Sequence, residues 1–258
     1  MILDQIIEHK RLEVAEVKRA KPLAQLEKQL KSRPPLRNFR QAIDRPDVLS
    51  LIAEVKRTSP SAGQIREGAD AVSVAKAYAQ AGAQAISVLT DAKFFSGSLK
   101  DLVAVRESVP LPVLRKDFLL EEYSLVETAA SGADAVLLIV AILEYPVLKR
   151  LLGLARDLSL DALVEVHTGQ EVGMALEAGA QIIGINNRNL ATFQVDLKNT
   201  ERLIRQIPSD RMPVSESGIH SRQDVEFVQK LGARAVLIGE ELMGAEDIEK
   251  RVKELMGW

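Results

Sequence analysis

Glu54 and Lys56 stand two residues apart at the end of an apolar run, Leu51-Ile-Ala-Glu-Val-Lys56. In an extended strand, positions two apart share a face, so both side chains point the same way, opposite Val55. The same parity groups Leu163, Glu165 and His167 and leaves Val164 and Val166 for the other side. Gly184 and Asn186 share a face, with Arg188 just beyond them in a loop; Lys116 shares one with Leu114, while Arg115 faces away. A fifth run, Val214-Ser-Glu216, also stops at a carboxylate. Carboxylates and ammonium groups are side chains that exchange protons and bind anions. A set of ion pairs within a core is the plain alternative. Burying an ion costs several kcal/mol, however, so such pairs contribute little stability, and charged groups gathered from several strands read as a site.

The elements that must position them follow from the same runs. A parallel strand covered by helices on both faces is continuously apolar, and polar stops at the trailing ends of such strands fall on one rim. That rim is where (β/α)8 barrels carry their chemistry. A phrase recurs as Ala81-Gly-Ala-Gln-Ala-Ile-Ser-Val-Leu89, Ser131-Gly-Ala-Asp-Ala-Val-Leu-Leu-Ile139, Ala178-Gly-Ala-Gln-Ile-Ile-Gly-Ile-Asn186 and Leu231-Gly-Ala-Arg-Ala-Val-Leu-Ile-Gly239. Its glycines, Gly82, Gly132, Gly179 and Gly232, lie 50, 47 and 53 residues apart, and each suits the left-handed close of a helix before a buried strand. Further strands are expected at about 49–56, 111–116, 161–167 and 212–216, so the repeat spans two βα units and marks every second strand. Helical periodicity fills the gaps at 70–81, 98–108, 121–131, 144–158, 168–178, 198–206, 221–231 and 246–256. An open βα sheet would also carry such phrases, but eight regular units favour closure into a (β/α)8 barrel. Residues 1–45 read as amphipathic helices broken near Pro34–Pro35, too short for a core of their own. They are expected to cap a single 1–258 domain as an N-terminal helical extension.

Composition bounds the function. The 258 residues balance 34 Lys and Arg against 36 Asp and Glu, a formal net charge of -2, which argues against a general nucleic-acid surface. Cysteine is absent, which excludes disulfide and thiolate chemistry. His9, His167 and His220 lack ligand spacing, so no metal site is expected. The charged, helical start is unlike a signal peptide, and no apolar run approaches the roughly 18–20 residues of a membrane span. A cytoplasmic chain is the expectation, with a monomer as the default.

Two glycine-bearing loops suggest an anion. Ser215-Glu-Ser-Gly-Ile219 follows the seventh strand and Ile238-Gly-Glu-Glu-Leu-Met-Gly244 the eighth. These loops commonly hold phosphate in this fold, through backbone N–H groups and a short helix N-terminus; otherwise they are tight turns. Glu240 and Glu241 sit where they would repel an anion, unless their backbones bind it while both carboxylates point away. Thr58-Ser-Pro-Ser-Ala-Gly63, a loop after the first strand, could add hydroxyl contacts.

Six motifs in order, Ile52-Ala-Glu-Val-Lys-Arg-Thr-Ser-Pro-Ser61, Val88-Leu-Thr-Asp91 with Phe94-Phe-Ser-Gly97, Pro112-Val-Leu-Arg-Lys-Asp-Phe118, Leu163-Val-Glu-Val-His167, Gly184-Ile-Asn-Asn-Arg-Asn-Leu190 and Val214-Ser-Glu-Ser-Gly-Ile219, resemble the indole-3-glycerol phosphate synthase family. The resemblance runs from the N-terminal helices to the last helix; Thr58 and Ala62 depart from the Ala and Lys common in many relatives. It implies a carboxy-lyase of tryptophan biosynthesis that closes the ring of 1-(2-carboxyphenylamino)-1-deoxyribulose 5-phosphate with loss of carbon dioxide and water. No metal or organic cofactor is implied, and the partner is a phosphorylated small molecule rather than nucleic acid or membrane. By position, Lys116 resembles the general acid and Glu165 the base for dehydration, while Lys56 would hold the substrate carboxylate and lower the Lys116 pKa against the opposition of Glu54. Asn186 and Glu216 would orient the ribulosyl hydroxyls, Glu54 would be a further catalytic carboxylate, and Arg188 would position substrate. Phe118, with Phe94 or Phe95, would wall the aromatic ring, and Leu237 would touch the ligand. Ser59, Ser217, Gly218, Gly239 and the backbone of Glu240 make the phosphate set; His167 is expected to play a supporting role. Another ribose-phosphate barrel enzyme and a non-catalytic anion-binding barrel are the competing readings.

Overall fold

The computed structural model describes residues 2–45, 47–190 and 192–258. Eight parallel strands close a barrel: β1 (Ser50–Val55), β2 (Ala85–Leu89), β3 (Val113–Lys116), β4 (Ala135–Ile139), β5 (Asp161–Val166), β6 (Ile182–Asn186), β7 (Met212–Glu216) and β8 (Ala235–Ile238), with β8 pairing back onto β1. Each lies within the run expected of it. The intervening helices are α4 (Ala71–Gln80), α6 (Leu99–Ser108), α7 (Glu122–Ala130), α8 (Tyr145–Asp157), α9 (Gly169–Ala178), α10 (Lys198–Ile204), α11 (Arg222–Lys230) and α13 (Ile248–Met256), and two one-turn helices, α5 (Ala92–Phe95) and α12 (Glu240–Met243), stand on the rim after β2 and β8. The rim helix α5, too short for a periodicity signal, is started by Asp91, whose carboxylate accepts the Phe94 N–H at 2.7 Å. The first loop carries regular structure of its own: Thr58–Ser59 and Gly63–Gln64 pair as a small antiparallel ribbon. All four repeat glycines adopt positive φ, between 79° and 100°, as the helix-closing phrase requires.

The barrel interior is built in layers from one parity. Ile52, Leu114, Leu163, Ile182 and Val214 form its buried apolar filling with Ala85, Ala135 and Ala235. Two residues further along those same faces come Glu54, Lys116, Glu165 and Glu216, and Asn186 ends the β6 row. The charged groups therefore stand on an apolar floor, and a one-residue slip in any strand would turn its charge into the helix layer.

The N-terminal extension is described from Ile2 onward; Met1 lies outside the described residues. It runs along the barrel from rim to base as α1 (Ile2–Ala20), α2 (Leu23–Leu30) and α3 (Phe39–Ile43). Phe39 and Ile43, both fully buried, pack into the interior cluster and close the base. Asp134, fully buried just before β4, locks the connection. Its carboxylate accepts from Arg37 N (2.7 Å) and Val113 N (2.9 Å) and pairs with Arg106 Nε (2.8 Å). At the opposite end Lys10 of α1 is buried against Asp91 (2.9 Å) and Asp117 (3.0 Å), two carboxylates of the rim loops after β2 and β3. α1 is thereby bolted across the mouth of the barrel.

Asp134→Ala should strip Arg106 of its buried partner and leave two backbone donors unmatched. A loss of about 3–5 kcal/mol is expected from breaking such a pair, read as a lowered denaturant midpoint. An unchanged midpoint would show that the extension is not anchored through Asp134.

Candidate active site

The charged ends of β1, β3, β5 and β7 and the amide end of β6 face one another across the C-terminal mouth. Lys116 Nζ lies 3.1 Å from Glu165 Oε2 and 3.6 Å from Glu216 Oε2. Glu165 Oε1 accepts from Asn186 Nδ2 at 3.1 Å and lies 3.4 Å from His167 Nε2. Lys56 Nζ sits 3.1 Å from Glu54 Oε1 and 3.3 Å from Glu240 Oε1. Glu240 Oε2 takes a 2.8 Å bond from Arg188. The backbone accommodates these groups only where side chains are missing: a Cβ on Gly184 would collide with the Glu216 carboxylate, and one on Gly239 with that of Glu54. Those two glycines are required for close approach rather than for a turn.

The electrostatics divide the carboxylates. Burial alone would raise the Glu165 carboxyl, but Lys116, His167 and the Asn186 amide together hold it below the ordinary range. Burial pushes Glu216 up to about 8, and the neighbouring Glu165 and Glu54 reinforce this against the pull of Lys116. Among the described residues, neither Glu216 oxygen accepts a hydrogen bond. One carboxylate is thus held ionised and the other neutral near pH 7, the divergence that acid–base sites exploit. Lys116 corrects a sequence expectation. Burial acts to lower its pKa, but Glu165, Glu216 and Glu54 raise it well above the ordinary lysine value. The expected depression by Lys56 is outweighed by these carboxylates, and Lys56 itself pairs with Glu54 and Glu240.

Of the residues expected to act on or hold the substrate, all but Phe94 line a single cavity, from Glu54 and Lys56 around to Leu237, Gly239 and Glu240, while His167 stands outside its lining, against Glu165. Phe95 and Phe118 form the aromatic wall, with ring centroids 6.0 Å apart. Phe94 points instead toward α1 and meets the His9 ring edge-on at 5.9 Å. Ser217 (φ 66°) and Gly218 (φ 80°) turn the loop after β7. Arg115 faces the helix layer, where it bonds Thr90, Glu127 and Thr128. The two acids beside the expected phosphate are also accounted for. Glu240 reaches across to Lys56 and Arg188, and Glu241 bonds His220 Nδ1 and Arg251 Nε, both at 3.0 Å, so both carboxylates are engaged with their own cations.

Sequence reasoning missed two contributions. Ile2, Leu3 and Ile6 of α1 line the cavity; an apolar cluster at the start of an amphipathic helix was visible, but not what it covers. Buried Asn187 donates from Nδ2 to Ser215 Oγ (3.0 Å), Glu216 O (3.0 Å) and Ser217 O (3.1 Å). It ties the end of β6 to the loop after β7. It stands in the same motif as Asn186, but only the fold shows that it braces the next loop.

Replacing Glu216 tests the divided titration. Its proton is retained in the folded state while the unfolded chain loses it, so this group's contribution to stability falls as pH rises from about 4.5 to about 8. Glu216→Gln should raise the melting temperature by on the order of 5 °C at pH 9 and by less than about 2 °C at pH 5, while lowering turnover. An equal shift at both pH values would mean that Glu216 titrates normally.

Comparison with known proteins agrees with the geometry. The family model described as indole-3-glycerol phosphate synthase matches residues 3–255. The protein of that name from Roseiflexus sp. (strain RS-1) is 47% identical over 264 residues, covering 99% of this chain and 98% of its own. The one from Caldanaerobacter subterraneus subsp. tengcongensis is 48% identical over 257 residues, covering 99% and 98%. Among solved structures, 3-hexulose-6-phosphate synthase from Salmonella typhimurium superposes with a TM-score of 0.64 at 14% identity, covering 81% of this chain and 97% of that one. Thiamine phosphate pyrophosphorylase from Pyrococcus furiosus gives 0.60 at 18% identity, covering 81% and 94%. These structural likenesses speak for the barrel fold alone. Sequence identity of this extent over the whole chain, on a barrel whose rim carries these acids and lysines, places the protein in the indole-3-glycerol phosphate synthase family.

Proposed function

We propose that the chain converts 1-(2-carboxyphenylamino)-1-deoxyribulose 5-phosphate to indole-3-glycerol phosphate, carbon dioxide and water by acid–base catalysis. The observation that carries this is the Lys116–Glu165 pair, 3.1 Å apart in the cavity, with the lysine held protonated and the carboxylate held ionised. An acid and a base of opposite charge thus meet the substrate in the protonation states that the reaction needs.

The phosphate is assigned to the loops after β7 and β8, with Ser217, Gly218, Gly239 and the backbone of Glu240, and with Ser59 from the first loop. Phe95 and Phe118 stack beside the anthranilate ring, and Leu237 packs beneath the ligand. Phe94, outside the cavity, is left out of the ring wall. Lys56, with Arg188 nearby, receives the carboxylate. The aryl carbon bearing that carboxylate attacks the ketone carbon while Lys116 gives a proton to the ketone oxygen, so a C–C bond forms and the oxygen becomes a hydroxyl. Carbon dioxide then leaves, returning its bonding pair to the ring. The aniline nitrogen, through the ring, pushes the hydroxyl out as water as that hydroxyl takes a proton from solvent, and Glu165 removes the proton from the neighbouring ring carbon to complete the indole. Asn186 and Glu216 orient the hydroxyls, and Glu54 holds Lys56. The electrons come from the aniline nitrogen, and neither a metal nor an organic cofactor enters these steps.

Residues 1–45 are assigned to the same domain as the barrel. The same reading takes the protein as a cytoplasmic monomer; among the described residues no helix is long and apolar enough to cross a membrane.

Appearance of indole fluorescence on addition of the carboxyphenylamino substrate is the direct assay, and its absence at saturating substrate would contradict the reading. Lys116→Ala and Glu165→Gln should each reduce turnover by roughly 10²-fold or more with the fold intact by circular dichroism. Near-normal turnover in either variant would remove that residue from its role.

A further inference from the structure

Three cations, Lys56, Lys116 and Arg188, share the cavity with the carboxyl groups of Glu54, Glu165, Glu216 and Glu240, and Asp117 and Glu241, each paired with its own partners, complete the acidic lining. Lys116 is engaged by Glu165 and Glu216. The other two cations converge on one carboxylate. Glu240 Oε1 accepts from Lys56 at 3.3 Å and from the Ser59 hydroxyl at 3.4 Å, and Oε2 accepts from Arg188 at 2.8 Å. Lys56 follows β1 and Arg188 follows β6, so a single side chain bridges two strands across the mouth. Glu54, Glu165 and Glu216 are almost completely buried, whereas the Glu240 side chain is 25% exposed. Of the four, it has the most solvent to turn into, and turning does not require its backbone to move.

We propose that the Glu240 side chain is a built-in surrogate for the substrate carboxylate, holding Lys56 and Arg188 in the empty site and leaving them when the substrate carboxylate arrives. The inference rests on the reading in which Lys56 receives that carboxylate. Addition without displacement would crowd Glu54, Glu240 and the substrate carboxylate around the Lys56 ammonium, with like charges in contact. Exchange keeps the charge balanced. Ahead of binding, the surrogate keeps two long cationic side chains aimed into the cavity and sets a threshold: an incoming group must outcompete a carboxylate already in place. That is specificity gained by making the wrong occupant costly. Glu240 is thus a positioning and specificity residue that touches no reacting atom.

The test uses two non-cyclising ligands titrated calorimetrically: the substrate with its ketone reduced to an alcohol, and the same molecule lacking the ring carboxylate. Glu240→Gln removes the charge and keeps the shape. The carboxylate-bearing ligand should bind the variant about fivefold more tightly than the parent protein, the upper end of the scale for one partly exposed ion pair. The carboxylate-free ligand should change by less than about twofold. Equal changes for both ligands, no change, or weaker binding of the carboxylate-bearing one would overturn the proposal. Lys56→Met separates this from the reading beneath it. Selective weakening of the carboxylate-bearing ligand supports Lys56 as its receiver, and a null Glu240→Gln result then sinks only the exchange. Equal weakening of both ligands by Lys56→Met would overturn the reading and the exchange together.

Discussion

The Lys116 ammonium, shared between Glu165 and Glu216, is the interaction on which the rest of the mouth depends. It lies close enough to both carboxylates to feel them strongly, yet only one of the two can be ionised comfortably beside it in a nearly dry setting. Glu165 also draws on Asn186 and a neighbouring histidine; Glu216 accepts no hydrogen bond, and burial beside Glu165 and Glu54 outweighs Lys116 and the same histidine, so it keeps its proton. Three groups on three strands thus settle into a fixed set of charges before any ligand arrives. Environment supplied by the fold, rather than residue type, separates the acid from the base.

That arrangement is costly to hold, and the architecture shows how it is held. The apolar floor of the barrel fixes the height of the charged layer. Gly184 and Gly239 open space for carboxylates that any larger residue would displace. The extension closes the base with Phe39 and Ile43 and reaches over the rim with Lys10. Asp117, the partner of Lys10, follows Lys116 directly and bonds Arg115 and Thr90 as well. The helix across the mouth and the catalytic strand therefore share one polar anchor. Glu216, buried without hydrogen bonds, is the expected kind of conflict between stability and function.

The barrel was legible because its signals are local and periodic. Buried strands read as apolar runs, the Gly-Ala phrase marks every second one, and strand parity alone separates Lys116 from Arg115. Parity also places Glu54 with Lys56 and Glu165 with His167 on shared faces, whereas Glu216 reads from sequence only as the polar stop of its run. What sequence could not supply was distance. The sign of the Lys116 shift is not legible in the sequence because it depends on Glu165 and Glu216, from two other strands, standing 3.1 and 3.6 Å from the ammonium. Phe94 and Phe95 are adjacent on a one-turn helix with no pattern to separate them, and only the packing of Phe94 onto His9 does so. Ile2, Leu3 and Ile6 line the site through a docking of α1 that no local signal encodes, and the bracing role of Asn187 depends on which loop lies next to it.

The central claim is that the fold imposes opposite protonation states on two carboxyl groups around one lysine. Isotope-edited infrared spectroscopy of the ligand-free protein at pH 7, comparing the parent chain with Glu216→Gln and Glu165→Gln, measures this directly. Loss of a neutral-acid carbonyl band in the Glu216 variant, and loss of a carboxylate band in the Glu165 variant, is the predicted result. A carboxylate band lost in both, or the reverse assignment, would contradict the account.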